Sequence, residues 1–409
     1  MKLFLLNEAN RCLLCKKPKC KEYCPINTPI PEVITLYKEG KLKEAGEILF
    51  NNNPLSIICS IVCPHEDQCE GHCVRGIKGE PIKFYEIEKE ISGKYLNEIK
   101  FKNVSRIKDR IAIIGGGPAG LTIAFILAKK GYKITIFDSN EKIGGVLRYG
   151  IPEYRLPNNL IDKLEDKLIE LGVMIRPNTL IGPVISIDRL FEEDYKAVFI
   201  GTGVWNPKTL NIKGETLGNA HFAIDYLRSP ETYRLGKRVA VIGAGNVAMD
   251  AARTAKRNGC DEVTIIYRGY FEKMSATNKE IEEAKEDGVK FKLFRSPVEI
   301  TEEGIKLIDT ESAKDGISNK IDNKVEELFE CDSIIIAVSQ TPKTNIVSNT
   351  TKLETNKAGL IITDEQGNTT RPGVFGSGDV VTGARTVVEA VAHAKIVAEA
   401  IENYCNSFL

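Results

Sequence analysis

Eight of the eleven cysteines in this 409-residue chain fall within residues 12–73 and are the first candidates for chemistry. They form two runs of four: Cys12, Cys15, Cys20 and Cys24, then Cys59, Cys63, Cys69 and Cys73. Proline follows Cys24 and Cys63, and such tight spacing resembles the loops that wrap thiolates around iron–sulfur cubanes. Eight thiolates suffice for two 4Fe–4S clusters. The alternatives are zinc sites, although zinc usually takes thiolates as two close pairs, and clusters that only support the fold.

A glycine-rich turn follows a hydrophobic strand at residues 111–120. The segment reads Ile-Ala-Ile-Ile-Gly-Gly-Gly-Pro-Ala-Gly, a strand that leads into a G-x-G-x-x-G turn and a helix. The three glycines permit a tight turn, close approach of a pyrophosphate, and close packing of helix on strand. Free N–H groups at the helix start favour the negative diphosphate. The predicted dinucleotide-binding residues are Gly115, Gly117, Pro118, Ala119, Gly120 and Asp138, the last placed to bind a ribose.

A second turn of the same kind occupies residues 239–248, with alanine as its third small residue. Its predicted nucleotide-binding residues are Gly243, Gly245, Asn246, Val247 and Arg268. The following strand ends at Arg268 without the carboxylate that would bind the 2′-hydroxyl of NAD. An arginine can pair with a 2′-phosphate, so NADP(H) is favoured over NAD(H). The alternative is an exposed arginine without a binding role.

Both turns belong to a repeated pattern of strand, glycine turn, helix and strand, at 108–138 and 238–267. Alternation of this kind predicts an α/β fold with parallel sheets. We expect an N-terminal α-helical iron–sulfur domain followed by two nested Rossmann-like nucleotide-binding domains. The expected boundaries are 1–104 for the helical domain, 105–225 with 340–409 for an FAD-binding domain, and 226–339 for an inserted NAD(P)H-binding domain. Residues 312–327 are expected to form a surface loop or hairpin.

Two dinucleotide units in one chain suit a flavin reductase, in which a nicotinamide passes hydride directly to the flavin. The protein then supplies alignment and tuning, and no catalytic acid, base or nucleophile is expected. Lys plus Arg equals Asp plus Glu, so the formal net charge is zero. Neither nucleic acid nor a membrane is expected as a partner. The N-terminus lacks the long apolar region of a signal peptide, and we expect the cytoplasm, where thiols remain reduced.

Together these residues resemble the family of the glutamate synthase small (beta) subunit, whose members are FAD- and iron–sulfur-dependent NAD(P)H oxidoreductases. The resemblance covers essentially the whole chain. The segments that carry it are Arg11–Cys15, Cys24–Pro25, Val62–Pro64, Cys69–Cys73, Gly144–Pro152, Arg155–Pro157, Gly243–Asp250 and Gly376–Asp379.

The resemblance implies two unequal clusters. One would be held by Cys12, Cys15, Cys20 and Cys73, and the other by Cys24, Cys63, Cys69 and Glu88. Cys59, which the cysteine count alone would include, would then have no ligand role. The alternative for Glu88 is a solvated position on a helix surface beside Glu86 and Glu90.

The resemblance also extends both nucleotide sites. Further FAD contacts would come from Gly145, Leu147, Arg155, Gly378, Asp379, Thr386 and Val387, the last two at the start of a helix that faces the flavin pyrimidine. Ala337, Val338 and Ser339 would lie beside the nicotinamide. Two positions depart from the family pattern: Gly269 replaces a second basic residue, and Ser339 replaces the usual glycine.

The function that the resemblance implies is electron input: NAD(P)H to FAD, to two clusters, and on to a partner subunit of the glutamate synthase or dihydropyrimidine dehydrogenase kind. The alternative is the large subunit of an electron-bifurcating ferredoxin:NAD(P) oxidoreductase, with a ferredoxin-type partner. Thiol–disulfide reduction would need a C-x-x-C motif after Cys73, which the chain lacks. A non-enzymatic redox sensor or scaffold is the least favoured hypothesis.

Overall fold

The computed structural model describes residues 2–101, 107–310 and 326–407. The chain divides into two compact units. The first contains Met1–Arg148, Glu153–Val204 and Pro342–Leu409, and the second contains Tyr149–Pro152 and Trp205–Thr341. Among the described residues, no helix combines the length and apolar character that crossing a membrane requires.

The first unit begins with helices. They are α1 (Leu3–Asn10), α2 (Lys19–Glu22), α3 (Ile30–Lys38), α4 (Leu42–Asn52), α5 (Ser56–Val62) and α6 (Phe84–Glu98). Helices α3 and α4 are separate because the chain turns at Gly40, which has φ +74°. Apolar side chains of α1, α3, α4 and α6 form a core. Four cysteines pack against this core: Cys12, Cys20, Cys69 and Cys73.

Strands and helices alternate along the rest of the chain. The first unit continues with β1 (Arg110–Ile114), α7 (Pro118–Lys129), β2 (Lys133–Phe137), α8 (Val146–Tyr149), α9 (Asn158–Glu170), β3 (Met174–Arg176), α10 (Ile187–Glu192) and β4 (Tyr195–Ile200). The second unit contains β5 (Asn206–Pro207), β6 (Ala220–Phe222), α11 (Ala223–Arg228), β7 (Arg238–Ile242), α12 (Asn246–Arg257), β8 (Glu262–Ile266), α13 (Asn278–Glu286), β9 (Lys290–Lys292), β10 (Arg295–Thr301), β11 (Gly304–Asp309), β12 (Glu326–Glu330), β13 (Ser333–Ile336) and β14 (Gln340–Thr341). The first unit ends with α14 (Asn345–Ser348), β15 (Val374–Gly376), α15 (Asp379–Thr382) and α16 (Val387–Asn406). Single 3-10 turns occur at His65–Asp67, Val74–Ile77, Pro230–Thr232 and Phe271–Lys273.

Each unit is built on a five-stranded parallel sheet. The strand orders are β15-β4-β1-β2-β3 and β6-β13-β7-β8-β9, so that β1 and β7 hold the same central position. Every neighbouring pair in both sheets is parallel. The predicted α/β class and both strand–turn–helix–strand patterns are therefore confirmed.

The central strand of the second sheet is buried on both faces. Val239 and Val241 pack in the core that includes α12, whereas Ala240 and Ile242 pack on the other face against β10 and β11. Double burial explains why a parallel strand is a continuous apolar run rather than an alternating one. The antiparallel sheet β10-β11-β12, which covers that second face, was not predicted.

The expected inserted domain and the expected hairpin stay predictions. The boundaries at 226 and 339 were expected for a nucleotide-binding domain, whereas the second compact unit consists of Tyr149–Pro152 and Trp205–Thr341. Most of the expected loop or hairpin at 312–327 lies outside the described residues, and its last two residues, Glu326 and Glu327, begin β12.

The departure at Ser339 has a conformational cost. Its φ is +83°, in the left-handed region that favours glycine. Its carbonyl accepts a hydrogen bond of 3.1 Å from the N–H of Lys208, so a contact within the unit holds the residue in this conformation. The usual glycine of the family would adopt it without strain.

We therefore expect Ser339→Gly to raise the stability of the protein by about 0.5–1 kcal/mol, since relief of left-handed strain outweighs the flexibility that glycine adds to the unfolded chain. Thermal unfolding followed by circular dichroism measures the change. Ser348→Gly, the same substitution within α14, is the control and should lower stability. A lower melting temperature for Ser339→Gly would contradict the strain argument.

Candidate functional site

Four of the N-terminal thiols lie close enough to affect one another. Burial raises the pKa of Cys20 to about 11, and the charges of Cys73, Cys12 and Cys15 raise it further. Burial likewise raises the pKa of Cys12, with contributions from Cys73 and Cys15. Charge–charge effects of this kind weaken with distance, so the structure brings these four side chains together. They are the four that the family resemblance assigns to one cluster.

A second group of thiols surrounds Glu88. A hydrogen bond with Cys59 and burial raise the pKa of Cys63, and the charges of Glu88 and Cys69 act in the same direction. Burial raises the pKa of Cys69, as do the charges of Glu88 and Cys24. The structure thus brings together Cys24, Cys63, Cys69 and Glu88, and it places Cys59 with them.

Glu88 is buried, with 8% of its surface exposed, and its carboxylate has no hydrogen bond or ion pair with any described residue. Burial and the charge of Cys59 raise its pKa well above the ordinary value. Two residues along α6, Glu90 accepts a 2.7 Å hydrogen bond from the Tyr37 hydroxyl and pairs with Lys94 at 3.0 Å. A buried carboxylate without a partner is costly unless a cation neutralises it. The surroundings of Glu88 therefore suit a metal centre. The alternative from the sequence, a solvated position on the helix surface, is wrong.

The position of Glu88 depends on how α5 and α6 pack. The Ser56 and Ser92 hydroxyls, one on each helix, form a 2.9 Å hydrogen bond. Glu88 precedes Ser92 by one helical turn and Cys59 follows Ser56 by nearly one, so both face the same contact.

The thiol groups are spaced too widely to chelate one ion. Within the described residues, no three His, Cys, Asp or Glu side chains are gathered closely enough to hold a single metal ion. The ligands of a cubane each bind a different iron atom and need no such closeness. The sulfur-rich donor set and the buried carboxylate fit a cluster of this kind.

The first glycine turn has the backbone geometry that its sequence predicts. Gly115 has φ +98°, and a Cβ atom there would lie 2.6 Å from the Gly201 carbonyl oxygen. A Cβ atom at Gly120 would lie 2.1 Å from the Gly115 carbonyl oxygen. At Gly117 the nearest atom would be 3.9 Å away, so there is open space above this residue. Pro118 and Ala119 open α7 directly after the turn. The turn therefore suits a pyrophosphate: packing requires glycine at two positions, and Gly117 leaves room for a ligand.

Asp138 is buried at the end of β2 and braces this turn. One carboxylate oxygen accepts a 2.8 Å hydrogen bond from the Gly116 N–H, and the other accepts from the backbone and side chain of Asn140. Gly145, with φ +53°, lies against the turn as well, since a Cβ atom there would come within 2.9 Å of the Gly117 Cα. Leu147 is fully buried and Arg155 half-buried in the same unit.

The C-terminal part of the first unit forms a cleft between α15 and α16. The cleft has a volume of about 300 Å³ and is lined by Gly378, Asp379, Thr382, Arg385, Glu389, Ala390, Ala392, His393 and Ile396. Burial raises the pKa of Asp379 to about 6. Thr386 caps α16 through a reciprocal capping box with Glu389, and Val387 is the first residue of the helix.

Two residues near this cleft were not predicted from the sequence. The Ser377 hydroxyl and the His393 Nδ1 are 3.0 Å apart, and Ser377 is fully buried. Ser377 could have been predicted, because it lies inside the Gly376–Asp379 segment that carries the family resemblance. His393 gave no such signal, because only the packing of α16 brings it to this position.

The second glycine turn repeats the first within the second unit. Gly243 has φ +137°, and a Cβ atom there would lie 2.3 Å from the Ala337 carbonyl oxygen. Gly245 faces the Ser275 hydroxyl, and the side-chain oxygen of Asn246 accepts a 3.2 Å hydrogen bond from the Thr277 N–H. A loop after β8 thus covers this turn, and Val247 packs against the core below it.

The structure places the other predicted nucleotide residues of this unit at two positions. The Arg268 side chain is exposed and forms no ion pair with the residues that the structure describes, and nearby Lys273 is also exposed. The Ala337 N–H donates a 2.8 Å hydrogen bond to the Ile242 carbonyl oxygen, and Ala337 leads into Val338 and Ser339. The Ala337 end of this segment therefore lies at the glycine turn.

The three solitary cysteines do not form a redox pair. Cys260, Cys331 and Cys405 are buried, and none is bonded to another cysteine. Burial raises the pKa of Cys331 to about 12, which keeps its thiol protonated and unreactive.

Comparisons with known proteins agree with this geometry. The pyridine nucleotide-disulphide oxidoreductase family matches residues 109–394, and the family described as dihydropyrimidine dehydrogenase domain II, 4Fe-4S cluster, matches residues 3–99. The chain is 30% identical to the glutamate synthase [NADPH] small chain of Escherichia coli, over 97% of this chain and 90% of that one. It is also 30% identical to the NAD-dependent dihydropyrimidine dehydrogenase subunit PreT of Salmonella typhimurium, over 98% and 94% of the two chains.

A solved structure supports the fold. The chain matches FprA of Mycobacterium tuberculosis in complex with NADPH with a TM-score of 0.60, at 18% identity, over 73% of this chain and 85% of that one. Likeness at this level of identity concerns the fold alone. The sequence relatives carry the assignment further: the protein is an oxidoreductase with an N-terminal 4Fe–4S domain, and it belongs to the glutamate synthase small-chain family.

Proposed function

We propose that the protein is an electron-input subunit, which takes electrons from NAD(P)H through FAD to two 4Fe–4S clusters and on to a partner protein. The observation that carries the proposal is the unpaired, buried carboxylate of Glu88 among thiols, in the same compact unit as the first glycine turn. A cluster neutralises this carboxylate, and the shared unit suits electron transfer between the two cofactors.

The cluster ligands in this proposal form two sets. Cys12, Cys15, Cys20 and Cys73 hold one cluster, while Cys24, Cys63, Cys69 and Glu88 hold the other. Cys59 is a neighbour of Cys63 rather than a ligand. An oxygen ligand makes the second cluster chemically unlike the first.

The flavin, when bound, accepts hydride as an electron pair and releases electrons singly. In this proposal the N-terminus of α7 orients its diphosphate, with Gly117 leaving room for it. Asp138 holds the turn and accepts a hydrogen bond from the ribose. The capped N-terminus of α16, at Thr386 and Val387, faces the flavin pyrimidine and favours negative charge there. Gly378 and Asp379 contact the ribityl or phosphate region.

The second unit binds the nicotinamide nucleotide, with NADP(H) favoured over NAD(H). Support comes from Arg268, which is exposed and has no ion pair among the described residues. A side chain that binds a 2′-phosphate is expected to have this exposure and this lack of an internal partner. Among the relatives, the glutamate synthase small chain is named for NADPH and the dihydropyrimidine dehydrogenase subunit for NAD. Ala337, Val338 and Ser339 lie beside the nicotinamide in this proposal.

The partner in this proposal docks on the helical region, near the thiols of the first set. Leu13 and Leu14 are exposed there, at 59% and 40%, next to the exposed Lys16 and Lys17. Apolar side chains with adjacent positive charge suit an acidic electron acceptor. The partner is a glutamate synthase-like or dihydropyrimidine dehydrogenase-like subunit, and a ferredoxin-type protein in the bifurcating alternative. The proposed location is the cytoplasm.

Replacement of Glu88 tests the ligand sets. Glu88→Ala should lose one cluster, and with it roughly half of the iron and acid-labile sulfide, because the second set then has three ligands. Cys59→Ala should keep both clusters. Glu90→Ala is the matched control on the same helix and should keep full iron content. Loss of a cluster from Cys59→Ala, with Glu88→Ala intact, would reverse the assignment.

Replacement of two glycines in the first turn distinguishes a role in packing from a role in FAD binding. Gly120→Ala should lower protein stability by about 1–3 kcal/mol, because its Cβ atom meets the Gly115 carbonyl oxygen. Gly117→Ala should leave stability unchanged in the flavin-free protein but lower FAD content, because its methyl group enters the space left for the diphosphate. Thermal unfolding and the flavin absorbance of purified protein measure the two effects. Full flavin content in Gly117→Ala would contradict the proposed site.

The nucleotide preference depends on Arg268. Arg268→Ala should lower kcat/KM for NADPH by about 10- to 100-fold, since a charge-assisted contact with phosphate contributes about 1.5–3 kcal/mol. The value for NADH should stay within about twofold. Dye reduction with each nucleotide measures this, and Lys273→Ala is the control with an exposed cation nearby. Equal losses for both nucleotides would show that Arg268 does not read the 2′-phosphate.

A further inference from the structure

A lysine of the last helix is linked to the loop that contains Cys24. Lys395, in α16, donates a 2.8 Å hydrogen bond to the side-chain oxygen of Asn52, the last residue of α4. The side-chain amide of Asn52 in turn donates a 3.2 Å hydrogen bond to the Ile26 carbonyl oxygen, two residues after Cys24. The side chain of Asn52 therefore joins α16 to the loop that contains Cys24.

Cys24 belongs to the electrostatic surroundings of this lysine. Lys395 is half-buried; burial lowers its pKa, and the thiolate of Cys24 raises it. The Cys24 sulfur has a second polar neighbour, the Thr28 hydroxyl, at 3.3 Å. Cys24 thus has a hydroxyl within hydrogen-bonding distance and an ammonium group in its electrostatic surroundings.

A neighbouring lysine makes a similar bond without a thiol. Lys129, in α7, donates a 2.5 Å hydrogen bond to the side-chain oxygen of Asn51. Burial lowers the pKa of Lys129, and the charge that raises it belongs to Glu47 rather than to a cysteine. The two lysines contact consecutive asparagines of α4 but differ in what their charges face.

We propose that Lys395 is a positioning residue for the second cluster: it fixes the Cys24 loop through Asn52 and raises the reduction potential of the cluster that Cys24 binds. The inference rests on the proposed function, because it requires a cluster at Cys24. Along α16, Lys395 follows Val387 by eight residues, about 12 Å at the helical rise. The residue is thus placed between the helix end proposed to face the flavin and the cysteine loop.

The physical reason is charge compensation. Reduction of the cluster adds one electron, which derives from the reduced nicotinamide, and breaks no bond. The added negative charge is stabilised by an ammonium group in a partly buried setting, where electrostatic effects exceed those in water. Removal of that ammonium group makes the cluster harder to reduce.

The test is a redox titration of the intact, cluster-loaded protein, followed by electron paramagnetic resonance. In Lys395→Met the equilibrium constant for reduction of one cluster should fall about tenfold, which is about 59 mV for a one-electron couple. The other cluster should keep its potential. Lys395→Arg, which retains the charge, should stay near the wild-type value. Asn52→Ala, which breaks the link but keeps the charge, should give a smaller shift in the same direction.

Lys129→Met is the matched control, because it removes an equivalent contact with α4 without a charge near a cysteine. It should leave both potentials unchanged. Unchanged potentials in Lys395→Met, or an equal shift in Lys129→Met, would overturn the role of Lys395 while leaving the proposed function intact. If wild-type protein carries no second cluster, or if Cys24→Ala retains both, the proposed ligand set fails and this inference fails with it.

Discussion

The helical region depends on how the negative charge of its thiols and of Glu88 is neutralised. Several of these groups are buried, and the charges of neighbours raise the pKa of Cys20, Cys69 and Glu88. Ionised groups of like sign in a low-dielectric region repel one another and lose hydration. A bound metal centre reverses that balance, because it attracts every member of the set. Metal binding and folding are then linked, as in other small domains built around metals.

A shared cluster would also add to the apolar core of the helical region. Its helices are short, and four cysteines pack at the edge of that core. Thiolates from separate loops that share a cluster tie those loops together, in the way that structural metals support small domains. The parallel sheets do not need such support, since the central strands β1 and β7 are buried on both faces by helices or by a further sheet.

Much of this architecture could be predicted from the sequence, and the reasons for the failures are physical. The turns at Gly115 and Gly243 were visible because close backbone approach restricts residue type there. Strand β6 was not, because three residues with half-buried side chains leave no apolar run. Glu86, Glu88 and Glu90 look alike in the sequence, and only the packing of α6 against α5 shows which one lies among the thiols. Lys395 gave no signal at all, since its partner Asn52 is more than 300 residues away in the sequence.

The two sheets differ in where the chain supplies their edge strand. In the second sheet the edge strand beside β13 is β6, which precedes the other strands of that sheet in the chain. In the first sheet the edge strand beside β4 is β15, which comes near the end of the chain. During synthesis the second sheet has all its strands once β13 has left the ribosome. The first sheet must wait for β15, with four of its strands made long before. All strands of the second sheet are therefore made before the first sheet can be completed, and the pairing of β15 with β4 is a long-range contact of the kind that slows folding.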